Sequence, residues 1–212
     1  WRALHHVARR FFAPALVSAH VPGDESTIIG NYRRSNVAKV HLFTVYDRPS
    51  PARGVLRWDL FHLDGRKFLS GRKAVALRHG ESVNQKTLDL TRQLTRHSRE
   101  CVYLRFALDI DDRCVSEDSV FFTPPRFMAL PGARVKVAVE LMTPQLARII
   151  FTASAFQHRF AFELEGIPHR SNDNYFELFP GEPKVVEVEL SRAQTVARLE
   201  KVLKFRSLSD TY

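Results

Sequence analysis

The sequence is poor in the residues that staple a fold, hold a metal or cradle a phosphate. Among 212 residues there are two cysteines, Cys101 and Cys114. Two cysteines make no disulfide framework, and neither stands in Cys-x-x-Cys, so neither a zinc ribbon nor a thioredoxin-type redox pair is expected. If Asp111 and Asp112 turn a hairpin, Cys114 faces a residue near Asp109 and not Cys101. No Asn-x-Ser/Thr sequon occurs either. Both absences favour a reducing, bacterial-type cytoplasm over a secreted setting, with a periplasmic home left open. His-Glu-x-x-His is missing, and the neighbours His5 and His6 point in different directions on a helix, so no metal ligand set is expected. No glycine-rich loop follows a strand, which leaves a nucleotide without a cradle. The Gly-x-Ser-x-Gly elbow of many hydrolases is absent too. No cofactor is therefore expected. No apolar run approaches the length of a membrane span, and His5, His6, Arg9 and Arg10 interrupt any signal-peptide core, so no membrane partner is expected. The first residue is Trp1 and not Met, and the chain is read as a piece of a longer polypeptide.

What is present is an ordinary globular composition, 44% hydrophobic, with a formal net charge of +9. A basic chain invites a nucleic-acid reading. Here, however, the basic residues are scattered, pairs such as Arg33 and Arg34 never grow into a tract, and acids are interleaved throughout. No nucleic-acid partner is expected. The length suits two modules of about 100 residues each.

Trp1, Leu4, Val7, Ala8, Phe11 and Phe12 fall on one helical face, and Pro14 ends that helix. Beyond it the pattern turns to period two. Val40 to Tyr46, Val55 to Leu63 and Cys101 to Ile110 read as strands, the second closing at the Asp64-Gly65 turn. Leu56, Trp58 and Leu60 share one face, which places Trp58 in the core and not on a sugar-binding platform. Val102, Leu104, Phe106 and Leu108 share another. Tyr32, Tyr46 and Tyr103 are left open as surface rings. Phe121-Phe122-Thr123-Pro124-Pro125 breaks the rhythm, as between modules. Strand patterns resume at Val135 to Leu141, Arg148 to Ala153, Phe160 to Leu164, Asn174 to Phe179, Val185 to Leu190 and Leu203 to Leu208. Ser191 is expected to cap a short helix running through Lys201.

A faint repeat links the halves. Leu63-Asp64-Gly65 recurs as Leu164-Glu165-Gly166, and Gly80-Glu81 as Gly181-Glu182, at the same offset, each Gly-Glu pair leading into a strand. The expectation is an all-β chain of two antiparallel β-sandwich modules in tandem with a short N-terminal helix: residues 1–19 as terminal helix and linker, 20–124 and 125–212 as the sandwiches.

Chemistry is scarce. Glycoside hydrolysis needs two carboxyl groups facing one cleft, and the carboxylates here sit in turns and on strand faces without pairing. Asp109, Asp111 and Asp112 form the densest group; a solvated hairpin turn is preferred there to a calcium site.

The most specific stretch is Asn172-Asp173-Asn174-Tyr175-Phe176-Glu177-Leu178-Phe179-Pro180-Gly181-Glu182, a strand entering a turn whose central positions suit Pro180 and Gly181. It resembles the Asp-Asn-Tyr-Phe-(Asp/Glu)-Leu-x-Pro-Gly-Glu signature of the last immunoglobulin-like domain of β-mannosidases of glycoside hydrolase family 2. Arg2 to Ser18 resembles the segment leaving that family's catalytic barrel, Ser119 to Pro125 its junction between C-terminal modules, and Leu203 to Tyr212 its closing strand. The resemblance implies that both modules are immunoglobulin-like and that the parent enzyme is a retaining exo-glycosidase removing terminal β-mannose. It also implies catalytic glutamates on a barrel whose motifs do not occur here, so no catalytic residue is assigned. The implied role is a non-catalytic accessory region whose partners are the parent's own barrel and, through it, a β-mannoside substrate, with homo-oligomers left open. The loop from Pro168 to Asn174, with His169, Asn172, Asp173 and Asn174, is the candidate edge of an active-site cleft. Two rival readings are a carbohydrate-binding module, which needs an exposed line of aromatic rings, and an adhesive sandwich with a free edge strand.

Overall fold

The computed structural model describes residues 3–22, 27–29, 32–34 and 38–211. The chain folds as two compact units. One runs from Arg9 to His62 and from Arg66 to Ala129; the other joins the chain's start up to Ala8 and the short piece Leu63–Gly65 with Leu130–Tyr212.

The expected N-terminal helix is α1 (Ala3–Phe11); Trp1 lies outside the described residues. Leu4 (74% exposed), Phe11 and Phe12 (87%) stand in solvent, whereas His6 is buried. The strands that follow are β1 (Ala15–His20), β2 (Thr27–Ile29), β3 (Tyr32–Arg34), β4 (Lys39–Tyr46), β5 (Ala52–His62), β6 (Lys67–Leu77) and β7 (Glu81–Asp89). A short helix α2 (Thr91–His97) leads into β8 (Val102–Ile110) and β9 (Arg113–Phe121). They form a three-stranded sheet, β1-β4-β7, a four-stranded sheet, β6-β5-β8-β9, and a β2-β3 hairpin. Alternation decides what each strand buries. Val40, Leu42 and Tyr46 of β4, Leu56, Trp58 and Leu60 of β5, and Leu104, Phe106 and Leu108 of β8 join one core that both larger sheets share. That arrangement is an antiparallel sandwich.

The second unit repeats the plan. Its strands are β10 (Val135–Thr143), β11 (Leu146–Ala153), β12 (Gln157–Leu164), β13 (His169–Ser171), β14 (Phe176–Leu178) and β15 (Lys184–Leu190), then helix α3 (Val196–Val202) and β16 (Leu203–Arg206). The sheets are β10-β11-β15-β13 and β14-β12-β16. Phe151 is fully buried between them, with ring centroids of Phe160, Phe162 and Phe176 at 5.0, 5.3 and 6.2 Å. The expected fold class, two immunoglobulin-like sandwiches with a short N-terminal helix, is what the chain adopts.

The repeat proves to be turn chemistry. Gly80 (φ +72°) and Gly181 (φ +73°) occupy the same place in matching turns, closed by Glu81 N donating to Arg78 O and Glu182 N to Phe179 O, each at 3.2 Å. A left-handed third residue is what a type II turn requires, so glycine recurs there.

Two expectations shift. The helix expected from Ser191 begins later: Ser191 N bonds Pro168 O instead, and Thr195 is the cap, its Oγ1 accepting from Arg198 N at 3.3 Å. The strand expected over Asn174–Phe179 shortens to β14, because Tyr175 adopts φ +55° and takes the chain out of extended geometry.

The Asp111–Asp112 hairpin is confirmed. Ile110 pairs with Arg113, and both aspartates are left-handed (φ +51° and +56°). The register sets Cys114 opposite Asp109, as a two-residue turn requires. Two non-glycine residues in the left-handed region of one turn carry a conformational cost that Asn-Gly avoids. Asp111→Asn/Asp112→Gly is therefore expected to stabilise the first sandwich by about 1 kcal/mol, read as a higher urea midpoint with an unchanged slope.

Candidate functional site

The segment that carries the sequence signature is built from side-chain amides and carboxylates that bind backbone. Asn174, 9% exposed, lies beside Phe162 of β12: its Oδ1 accepts from Phe162 N at 3.1 Å and its Nδ2 donates to Phe162 O at 2.9 Å. Phe162 thus has both backbone groups met by one amide, as if a further strand residue stood there. Oδ1 also accepts from Tyr175 N at 2.9 Å, holding the left-handed turn into β14. One side chain therefore replaces a ladder pair just ahead of the point where β14 begins.

Its neighbours are committed in the same way. Asn172 faces Glu187 of β15, donating its N–H to Glu187 O at 2.9 Å and accepting from Glu187 N on Oδ1 at 3.0 Å. Asp173 Oδ1 accepts from Asn174 N at 2.9 Å, and its Oδ2 pairs with Lys184 Nζ at 2.8 Å. His169, half-buried in β13, has Nδ1 2.8 Å from Ile167 O. The structure thus brings the four candidate residues along one stretch of the second sandwich. Asn172, Asp173 and Asn174 each bind backbone of that sandwich, while His169 keeps its Nε2 without a hydrogen-bond partner among the described residues.

Beside them lies a pair that the sequence did not single out. His158 is buried, and its Nδ1 is 3.0 Å from both carboxylate oxygens of Glu177; Arg159 N, at a left-handed residue, donates to the same carboxylate at 3.1 Å. Nineteen positions separate the two, and only the β12–β14 pairing joins them. In the first sandwich, Arg57 makes a two-point ion pair with Asp109, Nη2 to Oδ1 being 2.8 Å. That hydrogen bonding holds the Asp109 carboxyl below its usual range. Asp59 binds Lys67 (3.0 Å) and Ser70 (2.6 Å), and Glu117 binds Arg105 (2.9 Å). These carboxylates work as cross-strand partners.

The aromatic rings decide the sugar-platform question for the residues concerned. Trp58 is 8% exposed, in the core with Leu56 and Leu60. Tyr46 and Tyr103, open as surface rings from the sequence, are 3% and 1% exposed. That expectation is corrected: Tyr46 lies on the inward face of β4, within the core, and Tyr103 is covered although its strand phase points outward. The side chain of Tyr32 lies outside the described residues.

Comparison with known proteins agrees with this architecture. The family model for the mannosidase Ig/CBM-like domain matches residues 38–126, and that for an Ig-fold domain of mannosidases matches residues 133–211. No curated protein matches the sequence. Among solved structures, a β-D-mannosidase from Dictyoglomus thermophilum superposes with a TM-score of 0.76 at 15% identity, covering 96% of this chain and 23% of that one. The exo-chitosanase CsxA of Amycolatopsis orientalis gives 0.52 at 12% identity, covering 96% and 26%. The chain thus spans about a quarter of the length of these structures, which it shares in fold. With a model matched in each sandwich, the chain belongs to the mannosidase immunoglobulin-like domain families, an Ig/CBM-like domain at residues 38–126 followed by an Ig-fold domain at residues 133–211.

Proposed function

We propose that this chain is the non-catalytic accessory region of a β-mannosidase-type glycosidase, a scaffold of two sandwiches, residues 20–124 and 125–212, that buttresses the parent's catalytic barrel. The parent reaction would be retaining exo-hydrolysis of terminal β-D-mannose residues. The observation that carries this reading is the tandem of two mannosidase-associated domains in one chain. The hydrogen bonds from the signature residues to their own sandwich's backbone support it: side-chain amides of Asn172 and Asn174 that stitch strands favour rigidity. Exposed Leu4, Phe11 and Phe12 on and beside α1 suit a helix that packs on a larger partner, and here that partner is the barrel. If the segment 168–174 edges the cleft, His169 Nε2 is the group it would present.

Isothermal titration with mannose and β-1,4-manno-oligosaccharides, together with an aryl β-mannoside assay, tests the reading. The expected result is neither binding heat nor turnover from this chain. Saturable binding would replace the scaffold by a carbohydrate-binding module, whose aromatic platform would then have to lie elsewhere than Trp58, Tyr46 and Tyr103. Turnover would refute the non-catalytic assignment outright.

A further inference from the structure

The sheet β1-β4-β7 turns one face to the core and the other outward. In β4 the inward set is Val40, Leu42, Thr44 and Tyr46, which leaves His41 on the outer side, half-buried. β1 runs antiparallel to β4, and the register sets exposed His20 directly opposite His41. The two imidazoles stack, with centroids 5.9 Å apart and planes 24° from parallel. Directly opposed residues on one face of an antiparallel pair have Cβ atoms about 4.5–5.5 Å apart. From that base two imidazoles reach a single ion, each at the usual 2.0–2.1 Å.

The third strand orients one of them. Thr87 of β7 pairs with His41, and its Oγ1 lies 2.8 Å from His41 Nδ1, with Asn84 Nδ2 at 3.3 Å from the same nitrogen. In the tautomer in which Nδ1–H is donated to Thr87 Oγ1, with the Asn84 amide donating to that same oxygen at 3.4 Å, the lone pair sits on Nε2, the nitrogen left for a metal; such outer hydrogen bonds are how ligating histidines are held in tautomer and direction. His20 makes no hydrogen bond among the described residues, so its nitrogens are available.

We propose that His20 and His41 form a two-histidine transition-metal site on the outer face of the first sandwich. No cluster of three or more His, Cys, Asp or Glu residues suited to a metal occurs among the described residues, so the ion takes two protein nitrogens and completes its shell with water. Imidazole ligands and the Irving–Williams order make Cu²⁺ the strongest-binding divalent ion for such a pair. β1 is the edge strand of its sheet, and an ion bridging it to β4 clamps that edge in register. Because the two ligands meet only in the folded state, binding stabilises it by mass action.

The test is calorimetric titration of the whole chain with Cu²⁺, and thermal unfolding with and without the ion, for the parent, His20→Ala, His41→Ala and His5→Ala/His6→Ala. Outer-shell partners alone are worth about 10- to 100-fold in metal affinity, so removing either ligand should weaken the tightest site at least that much and abolish the rise in unfolding temperature. The His5/His6 variant should bind as the parent does. Parent-like affinity in either His20→Ala or His41→Ala overturns the proposal, as does loss of the tight site in the His5/His6 variant. Paramagnetic broadening provides a readout that needs no variant: sub-stoichiometric Cu²⁺ should broaden the His20 and His41 ring resonances first, and broadening that begins at other histidines also overturns it.

Discussion

Gly71→Ala should cost the first sandwich about 3 kcal/mol, the upper end of the range for overpacking a well-filled core. Gly71 is the direct cross-strand partner of Trp58. A Cβ placed on it would sit 2.3 Å from Cε2 and Cζ2 of the indole and 2.5 Å from its Nε1. These are atoms of a rigid, nearly buried ring, so relief requires moving the whole side chain or spreading β5 from β6. Neither is cheap, since Trp58 packs within the core that both sheets share. Urea unfolding should show a lower midpoint for the first sandwich. The mechanism makes a second demand. Trp58→Leu removes the obstructing atoms at its own cost in buried surface, but Trp58→Leu/Gly71→Ala should be markedly less destabilised than the two single effects added together, because the clash is shared between the partners. Strict additivity would mean that the ring and the glycine do not act on each other.

Asn174→Ala should be at least as damaging to the second sandwich, at about 3–5 kcal/mol, by a different route. The substitution leaves Phe162 N and O, both in a residue 4% exposed, without their partner, and removes the acceptor of Tyr175 N. Each buried group left unsatisfied costs about 1–3 kcal/mol. Tyr175 would also lose the bond that holds its left-handed backbone. Asn174→Asp separates the contributions. The carboxylate still accepts from Phe162 N but cannot donate to Phe162 O, so Asp should recover part of the loss and no more. Amide exchange gives a local check: the Phe162 N–H should lose protection in Asn174→Ala out of proportion to its neighbours. A change within about 0.5 kcal/mol of zero, the usual range for a surface substitution, would show that the amide does not stand in for a strand.

These two residues mark where reading the sequence succeeds and where it stops. The side that Trp58 faces was legible, because strand geometry alternates strictly and Leu56 and Leu60 are on the same side. That a glycine opposite makes room for the ring was not, since register between β5 and β6 is a tertiary fact. The sequence reads Asn174 as the start of a strand; the aromatic residues that follow it, Tyr175 and Phe176, favour strands, and nothing local announces that its amide will serve as a ladder partner for a residue twelve positions earlier. Tyr103 shows the same boundary. Alternation with Leu104 and Phe106 places it on the outward side of β8, yet it is 1% exposed. The period of a strand tells which side of its own sheet a ring is on and carries no information about what lies over that side.

By itself the sequence determined the all-β class, the division into two similar halves, the hairpin at Asp111–Asp112 with Cys114 set opposite Asp109, the turn at Pro180–Gly181, and the resemblance to the mannosidase immunoglobulin-like region. All of these rest on local rules, namely side-chain period, turn stereochemistry and contiguous motif, which operate over a few residues. Only the tertiary structure decided that Asn172, Asp173 and Asn174 are tied into their own sandwich, that Glu177 meets His158, and that His20 stands opposite His41. Those pairings depend on which strands become neighbours and in what register. That choice is made by burying whole faces of a sheet at once, so no short stretch of sequence contains it.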